Sequence, residues 1–584
     1  MNKFKTGFFS FFFILCLFAS VSFFIGFSNN PGLTNNIPHN SYLRELLKSN
    51  KTAEQTIADK RGNEHFRNVE IFSAAPVNQK ARSEFAYQCD FLKINRQALS
   101  DLLSAEYSNI NFIIPAVNKN IELELTAFKP LSDDFKIYSF ESGIYKEQQF
   151  KQNSLHYNGI IKGNGGSVAV ISVFEDHIEG IVSDENGNWV LGPVNNGESS
   201  PGDYIFYNDF TLYKSNPFIC KLEGLEEKST FSVEANHISG ETPQMNMVNN
   251  PVKVLFVADY QMWLDAGQNT ATLVNYINGF FAVTKTLYQN ENIPMEIGSI
   301  LYYNSPDPMI GYDTYNMRQR FGAQIQNNMS GSHIAHLIST RTDVSGGIAH
   351  IRSLCKPYNP ADSSGSYAVS VIQTNYLPYP QYSWTVSVVT HEMGHNVGSR
   401  HTHACIWPGG PIDTCIITAE NSNQYGFPEG CIPLPQSKGC HSPRYGTIMS
   451  YCHFCDGLGG GISYALGFGP MPGDTIRLRY SQASCLIGIQ NISTEVPKNY
   501  SLRQNYPNPF NPVTNIRFDI LKTSAVSLTV MDITGKVVEA LVNQSLPPGT
   551  YNYDWNAEKY ASGIYFYKLE TDGFAETRKM VLIK

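Results

Sequence analysis

His391-Glu392-Met393-Gly394-His395-Asn396-Val397-Gly398-Ser399-Arg400-His401 is the stretch on which the reading of this chain turns. The spacing predicts a helix from Trp384 to Ser399, in which His391 and His395 lie about 40° apart around the axis and one turn apart along it. Two imidazoles so placed can grip one metal ion. Glu392 points about 100° away from His391, so its carboxylate lies beside the metal rather than on it, where a general base belongs. Gly398 can adopt the left-handed conformation that ends a helix without a Cβ penalty, and this brings His401 back as a third ligand. Three protein ligands leave a fourth position open. That donor set fits a catalytic zinc, which lowers the pKa of water to about 7 and polarises a carbonyl. A bare HExxH pattern can arise by accident on a surface helix; the extended HExxHxxGxxH pattern does so far less readily.

Working outward, 584 residues exceed what one core serves, so about three domains are expected. A net charge of -8 leaves no basic footprint, which argues against a nucleic-acid partner, and 42% hydrophobic residues exclude wholesale disorder. Lys3 and Lys5 precede an apolar run from Gly7 to Phe27, the layout of a secretory signal over residues 1–27. The same run is long enough to serve as an uncleaved anchor. Residues 30–68 are polar and read as a mobile lead-in.

Ten cysteines lie beyond Cys16, and eight of them, Cys355, Cys405, Cys415, Cys431, Cys440, Cys452, Cys455 and Cys485, crowd the histidine motif. In an exported chain they read as disulfides, with pairing left open. Cys452-His453-Phe454-Cys455 could alternatively belong to a second zinc site. Cys89 and Cys220 lie upstream, and parity allows them to pair.

Between Phe112 and Tyr213 short alternating apolar runs broken by Gly and Asn predict β-structure, including Phe135 to Phe140 and Gly166 to Val173. From Pro251 to Cys485 strands and helices alternate. Strands are expected at Val252 to Ala258, Met295 to Tyr303, Ile334 to Ser339 and Ala368 to Gln373, and helices at Thr270 to Gln289 and Tyr312 to Asn327. Beyond a linker at Thr494 to Tyr500, alternating strands from Ile516 to Leu582 predict a small β-sandwich.

The extended histidine motif, followed by Gly446-Thr447-Ile448-Met449-Ser450-Tyr451, resembles the metzincin metallopeptidases, whose second hallmark is a methionine turn beneath the zinc. Val254-Leu255-Phe256-Val257-Ala258-Asp259 resembles the opening of reprolysin (adamalysin-type) catalytic domains, and Gly346-Gly347-Ile348-Ala349-His350 their edge strand. An unpaired edge beside a metal can bind an extended peptide through its main chain, which implies a protein substrate. His156-Tyr157-Asn158-Gly159-Ile160-Ile161 and Ser167-Val168-Ala169-Val170-Ile171-Ser172 resemble the reprolysin pro-domain. That resemblance implies latency, help in folding, and removal between about Cys220 and Asn250. It also offers a second role for Cys220, as a thiolate in the zinc's open position. Two features depart from the reprolysins: Thr402-His403 stands where an Asp usually follows the third histidine, and Tyr451 gives a Met-x-Tyr turn. The latter resembles astacins and serralysins, in which the tyrosine stabilises the oxyanion. Asn505-Tyr506-Pro507-Asn508-Pro509-Phe510-Asn511-Pro512, Asp532 to Lys536, and Ala561-Ser562-Gly563-Ile564-Tyr565 resemble the C-terminal sorting domain of type IX secretion cargo.

Together these imply a signal at 1–27, a β-rich pro-domain at 28–245, an α/β metzincin catalytic domain at 246–490 with a mixed sheet and a zinc helix, and an all-β sandwich at 497–584. The expected function is a zinc endopeptidase made as a zymogen, with zinc on His391, His395 and His401, Glu392 as base, Tyr451 on the oxyanion and Met449 beneath. Calcium is left open. The resemblance further implies protein or peptide substrates, the type IX machinery as partner, and release from or attachment to the surface of a Bacteroidetes-like bacterium, with the outer membrane met in transit. The competing expectation is a secreted binding or adhesion protein that uses the domain only as a scaffold.

Overall fold

The computed structural model describes residues 51–223, 250–415 and 445–584, apart from short stretches such as 196–201, 373–378 and 455–460. The expected signal at 1–27, most of the expected cleavage segment, and Cys405, Cys431, Cys440 and Cys455 lie outside the described residues.

The upstream region builds a ten-stranded sheet from strands between Arg67 and Asn208. Its strand Asn164–Val173 is buried on both faces, which explains why Ser167 to Val173 reads as a nearly unbroken apolar run. Ala169, Ile171 and Val173 face a core of the region's own, with Ile110, Phe112 and Leu125. Val168 and Val170 face the opposite way, into a cluster shared with the downstream region.

The downstream region is organised on an eight-stranded sheet. Val252–Ala258, Met295–Tyr303, Ile334–Ser339 and Tyr367–Val371 run parallel, and Gly347–His350 pairs antiparallel with Tyr367–Val371. Three upstream strands complete this sheet. Leu131–Glu141 and Ile144–Gln148 form a hairpin that extends it beyond Met295–Tyr303, and Cys220–Glu223 pairs in parallel with Gly347–His350 at the opposite edge. The strand expected from Phe135 to Phe140 therefore exists, but it belongs to the downstream sheet. Two long helices pack on this sheet: Thr270–Asn290, with Asn269 accepting from the Thr272 amide as N-cap, and Tyr382–Val397, which carries the histidine motif.

At the C-terminus, two four-stranded antiparallel sheets share one apolar cluster that includes Phe518, Leu528, Trp555 and Tyr567. Ile489–Ser493 pairs with Gly549–Asn556, so strand pairing with this unit begins before the expected linker.

Two expectations are corrected. Residues 51–61 of the expected mobile lead-in form a helix, Lys51–Arg61, that buries Ala53 and Ile57 against Ile160. One small i, i+4 pair was too short a stripe to read as a helix. Nor do Cys89 and Cys220 pair: neither is in a disulfide, and both are buried. Cys89 opens a strand of the ten-stranded sheet, whereas Cys220 lies in the edge strand of the other. The disulfides among described residues are Cys355–Cys485 and Cys415–Cys452. The second consumes Cys452, so Cys452 is a disulfide partner and not a ligand of a second zinc.

Candidate metal centre

The motif helix runs one residue short of Gly398, whose φ of 136° turns the chain back toward the helix axis. His401 thereby meets His391 and His395. The three Nε2 atoms stand 3.0, 3.1 and 3.2 Å from one another. Nδ1 of His391 donates to the Ile448 carbonyl and Nδ1 of His395 to the Ser399 carbonyl, both at 2.8 Å. A carbonyl only accepts, so these bonds place the proton on Nδ1 and leave the Nε2 lone pairs converging on one point. Burial first, and then the neighbouring histidines, hold all three imidazoles well below the usual pKa and therefore neutral. Three converging lone pairs repel unless a cation lies between them. The donor set fits zinc.

The Cys220 thiol shares this point: its Sγ and the three histidine nitrogens lie within 4.8 Å of one another. Two backbone carbonyls hold this segment in the cleft. The Phe218 carbonyl accepts from His453 Nε2 at 2.9 Å, and the Cys220 carbonyl accepts from the Tyr451 hydroxyl at 2.9 Å. The Phe218 ring stands edge-on to His391, with centroids 5.3 Å apart. Beside it remains a cavity of about 190 Å³ lined by Gly346, Val371, Trp384 and Val388.

Glu392 is fully buried, and burial pushes its pKa well above the carboxylate range, with a contact to Cys220 offsetting only part of this. Its carboxylate rests against Gly347, where any side chain would collide with it. Beneath the histidines, Met449 Sδ lies 2.7 Å from where a Cβ on Gly394 would stand. Thr402, which occupies the position after His401, bonds to the Met449 carbonyl from its amide at 3.1 Å and its hydroxyl at 3.3 Å. The buried Asp413 bonds in turn to Thr402 and Ser450. A carboxylate thus still braces the methionine turn, but from eleven residues downstream.

All the residues singled out from sequence, His391, Glu392, His395, His401, Met449, Tyr451 and Cys220, meet here. Sequence reasoning missed Phe218, Asp413 and Asn396, and it placed His453 in a possible second zinc site rather than on the Phe218 carbonyl. The Asn396 amide donates to the His350 carbonyl, the Ser353 hydroxyl and the Tyr367 carbonyl, and so locks the edge strand to the motif helix. Its place inside HEMGHN was visible, but its partners, more than twenty residues away, were not.

Residues 248–455 match the family described as Metallo-peptidase family M12, and residues 504–584 match the secretion system C-terminal sorting domain. Curated relatives include disintegrin and metalloproteinase domain-containing protein 1a of Mus musculus, 20% identical over 53% of this chain and 38% of that protein. Disintegrin and metalloproteinase domain-containing protein 1 of Rattus norvegicus is 22% identical over 50% of this chain and 36% of its own length. The chain thus spans less than two fifths of the length of these relatives. Among solved structures, a chaperone-substrate complex aligns with 27% of this chain at 13% identity and a TM-score of 0.20, too slight to bear on the fold. No helix among the described residues is long and apolar enough to cross a membrane.

Proposed function

Given a chain that carries an M12 metallopeptidase domain and a type IX secretion sorting domain, we propose that it is an exported zinc endopeptidase held latent by its own upstream region. The observation that carries this reading is the convergence of three neutral imidazoles and the Cys220 thiol at one point, with the fully buried Glu392 carboxylate beside them.

His391, His395 and His401 would hold zinc, which supplies Lewis-acid polarisation of a carbonyl, acidification of water and a positive charge that favours ionised Glu392. Glu392 then takes a proton from the attacking water and delivers it to the leaving amine. Tyr451, whose hydroxyl already donates to a backbone carbonyl at the site, donates to the oxyanion. The Gly347–His350 strand aligns the substrate through its main chain, as it now aligns Cys220–Glu223. Met449 supports the histidines from below. In the latent form the Cys220 thiol takes the position the water needs.

Residues 1–27 act as the export signal and 28–245 as the pro-region. The two C-terminal sheets form the sorting sandwich that hands the protein to the type IX machinery, for release or surface attachment. The substrates are extracellular proteins or peptides. The test is hydrolysis of an unfolded protein by chain cleaved within residues 224–249, beside Glu392→Ala and a chelated sample. Cleavage lost in both controls supports the reading, and no hydrolysis by a zinc-loaded, cleaved parent overturns it.

A further inference from the structure

The helix Thr270–Asn290 is buried along almost its whole length and on every side, including Leu273, Ile277, Phe280, Phe281, Val283 and Leu287. A helix apolar all round must be covered on two faces. One face meets the catalytic region: Phe256 packs on Phe280 and Phe281, and the Tyr288 hydroxyl donates to the Thr390 carbonyl of the motif helix at 3.0 Å. The other face meets the upstream sheet. Asn158 Nδ2 donates to Thr286 Oγ1 at 3.3 Å, and at Gly279 the helix approaches so closely that an added Cβ would overlap the Glu179 carboxylate and touch Phe174. Val168, Val170, Ile181 and Ile205 of that sheet belong to the same apolar cluster as this helix.

The hairpin of Leu131–Glu141 and Ile144–Gln148 makes a second attachment. It pairs along Met295–Tyr303 from Ile297↔Leu131 to Tyr303↔Phe140, buries Leu131 and Ile137 in the catalytic core, and brings Asp134 within 2.8 Å of Lys253. A third lies beyond the methionine turn. Asn188 donates to the Ile462 carbonyl at 2.6 Å and accepts from the Tyr464 amide at 3.0 Å, while Ser183 accepts from the Ala465 amide at 2.8 Å. None of the three involves Cys220 or the metal centre.

We propose that the upstream region, residues 51–213, persists after cleavage as a second chain of the mature enzyme, covering Thr270–Asn290 and completing the catalytic sheet, while only the Cys220–Glu223 strand leaves the cleft. This rests on the reading of that region as a pro-region. Latency and attachment are then separable: the cleft strand provides the first, and the helix face and hairpin provide the second. Departure of the whole region would bare the helix face and open the Met295–Tyr303 edge, a liability for a secreted protein.

The experiment uses the full chain with a protease recognition sequence inserted within residues 224–249, cut by the added protease and passed over a sizing column at micromolar concentration. The two pieces are expected to co-elute and to separate only in denaturant, with the amides of Met295–Tyr303 as protected from hydrogen exchange as before the cut. Separate elution, or exchange of those amides as an open edge, overturns the proposal. In Gly279→Leu, checked first as a folded uncut chain, the pieces are expected to separate after cutting. Unchanged co-elution of that variant overturns the helix-face attachment, and if it does not fold uncut, the parent's exchange pattern decides alone. Peptide hydrolysis is not the readout, so separate elution leaves the peptidase reading standing, and an inactive but co-eluting pair overturns only that reading.

Discussion

Glu179→Gln probes the contact between the two regions through a single buried carboxylate. Glu179 lies on the strand Ile178–Asp184 and faces the long helix at Gly279. Burial pushes its pKa up to about 7; His177, 4.0 Å away, pulls it down in part, and Asp176 pushes it further up. Tyr204 and Tyr382 also lie in its electrostatic reach. Because the folded value lies above the unfolded one, the protonated group is fully accommodated at low pH, and the stability this confers is lost as pH rises through about 7. A rise from 4.5 to about 7 corresponds to about 3 kcal/mol at most. Glutamine stays neutral throughout. The variant should therefore match the parent near pH 4 and exceed it near pH 8 by up to about 3 kcal/mol, read as a higher melting temperature by roughly several degrees. The assay is thermal unfolding of the uncut chain and its variant across that range. A gap that does not change with pH, or a parent that is the more stable near pH 8, would refute the reasoning.

Three further outcomes follow from the same contacts. Gly347→Ala places a methyl group into the Glu392 carboxylate, so peptide hydrolysis should fall by about 10²-fold or more while circular dichroism stays unchanged. Gly394→Ala forces Met449 and Phe468 to move, and should cost about 1–3 kcal/mol in denaturant titrations, with reduced zinc content by elemental analysis. Asn188→Leu leaves the Ile462 carbonyl and the Tyr464 amide without their partner; each buried orphan costs about 1–3 kcal/mol, and the amide of Tyr464 should exchange faster in hydrogen-exchange measurements.

Much of the downstream sheet was legible in the sequence because its strands are short apolar runs set between helices. Val252–Ala258, Met295–Tyr303 and Ile334–Ser339 end where the patterning places them. The metal centre was legible because its spacing is itself a geometric statement: i, i+4 on a helix, then a glycine turn. What stayed hidden was pairing over long distance. Leu131–Glu141 carries the same alternation as its upstream neighbours, and nothing local marks its partner as Met295–Tyr303. The double-faced burial of Asn164–Val173 shows as a dense apolar run, but not as an interface with a particular helix. Parity suggested a Cys89–Cys220 bond, yet parity carries no geometry, and the fold places one cysteine in each sheet. The third-histidine departure at Thr402 was visible, whereas its compensation by Asp413 depends on a loop that returns to the methionine turn.

The central claim is that Cys220 and the three histidines form one latent metal centre, and the spectrum of the uncut chain loaded with cobalt(II) in place of zinc tests it most directly. Coordination by the Cys220 thiolate predicts a thiolate-to-cobalt charge-transfer band in the near ultraviolet, lost in Cys220→Ala while the histidine-bound cobalt remains. A parent spectrum without that band, or one that Cys220→Ala leaves unchanged, would contradict the account.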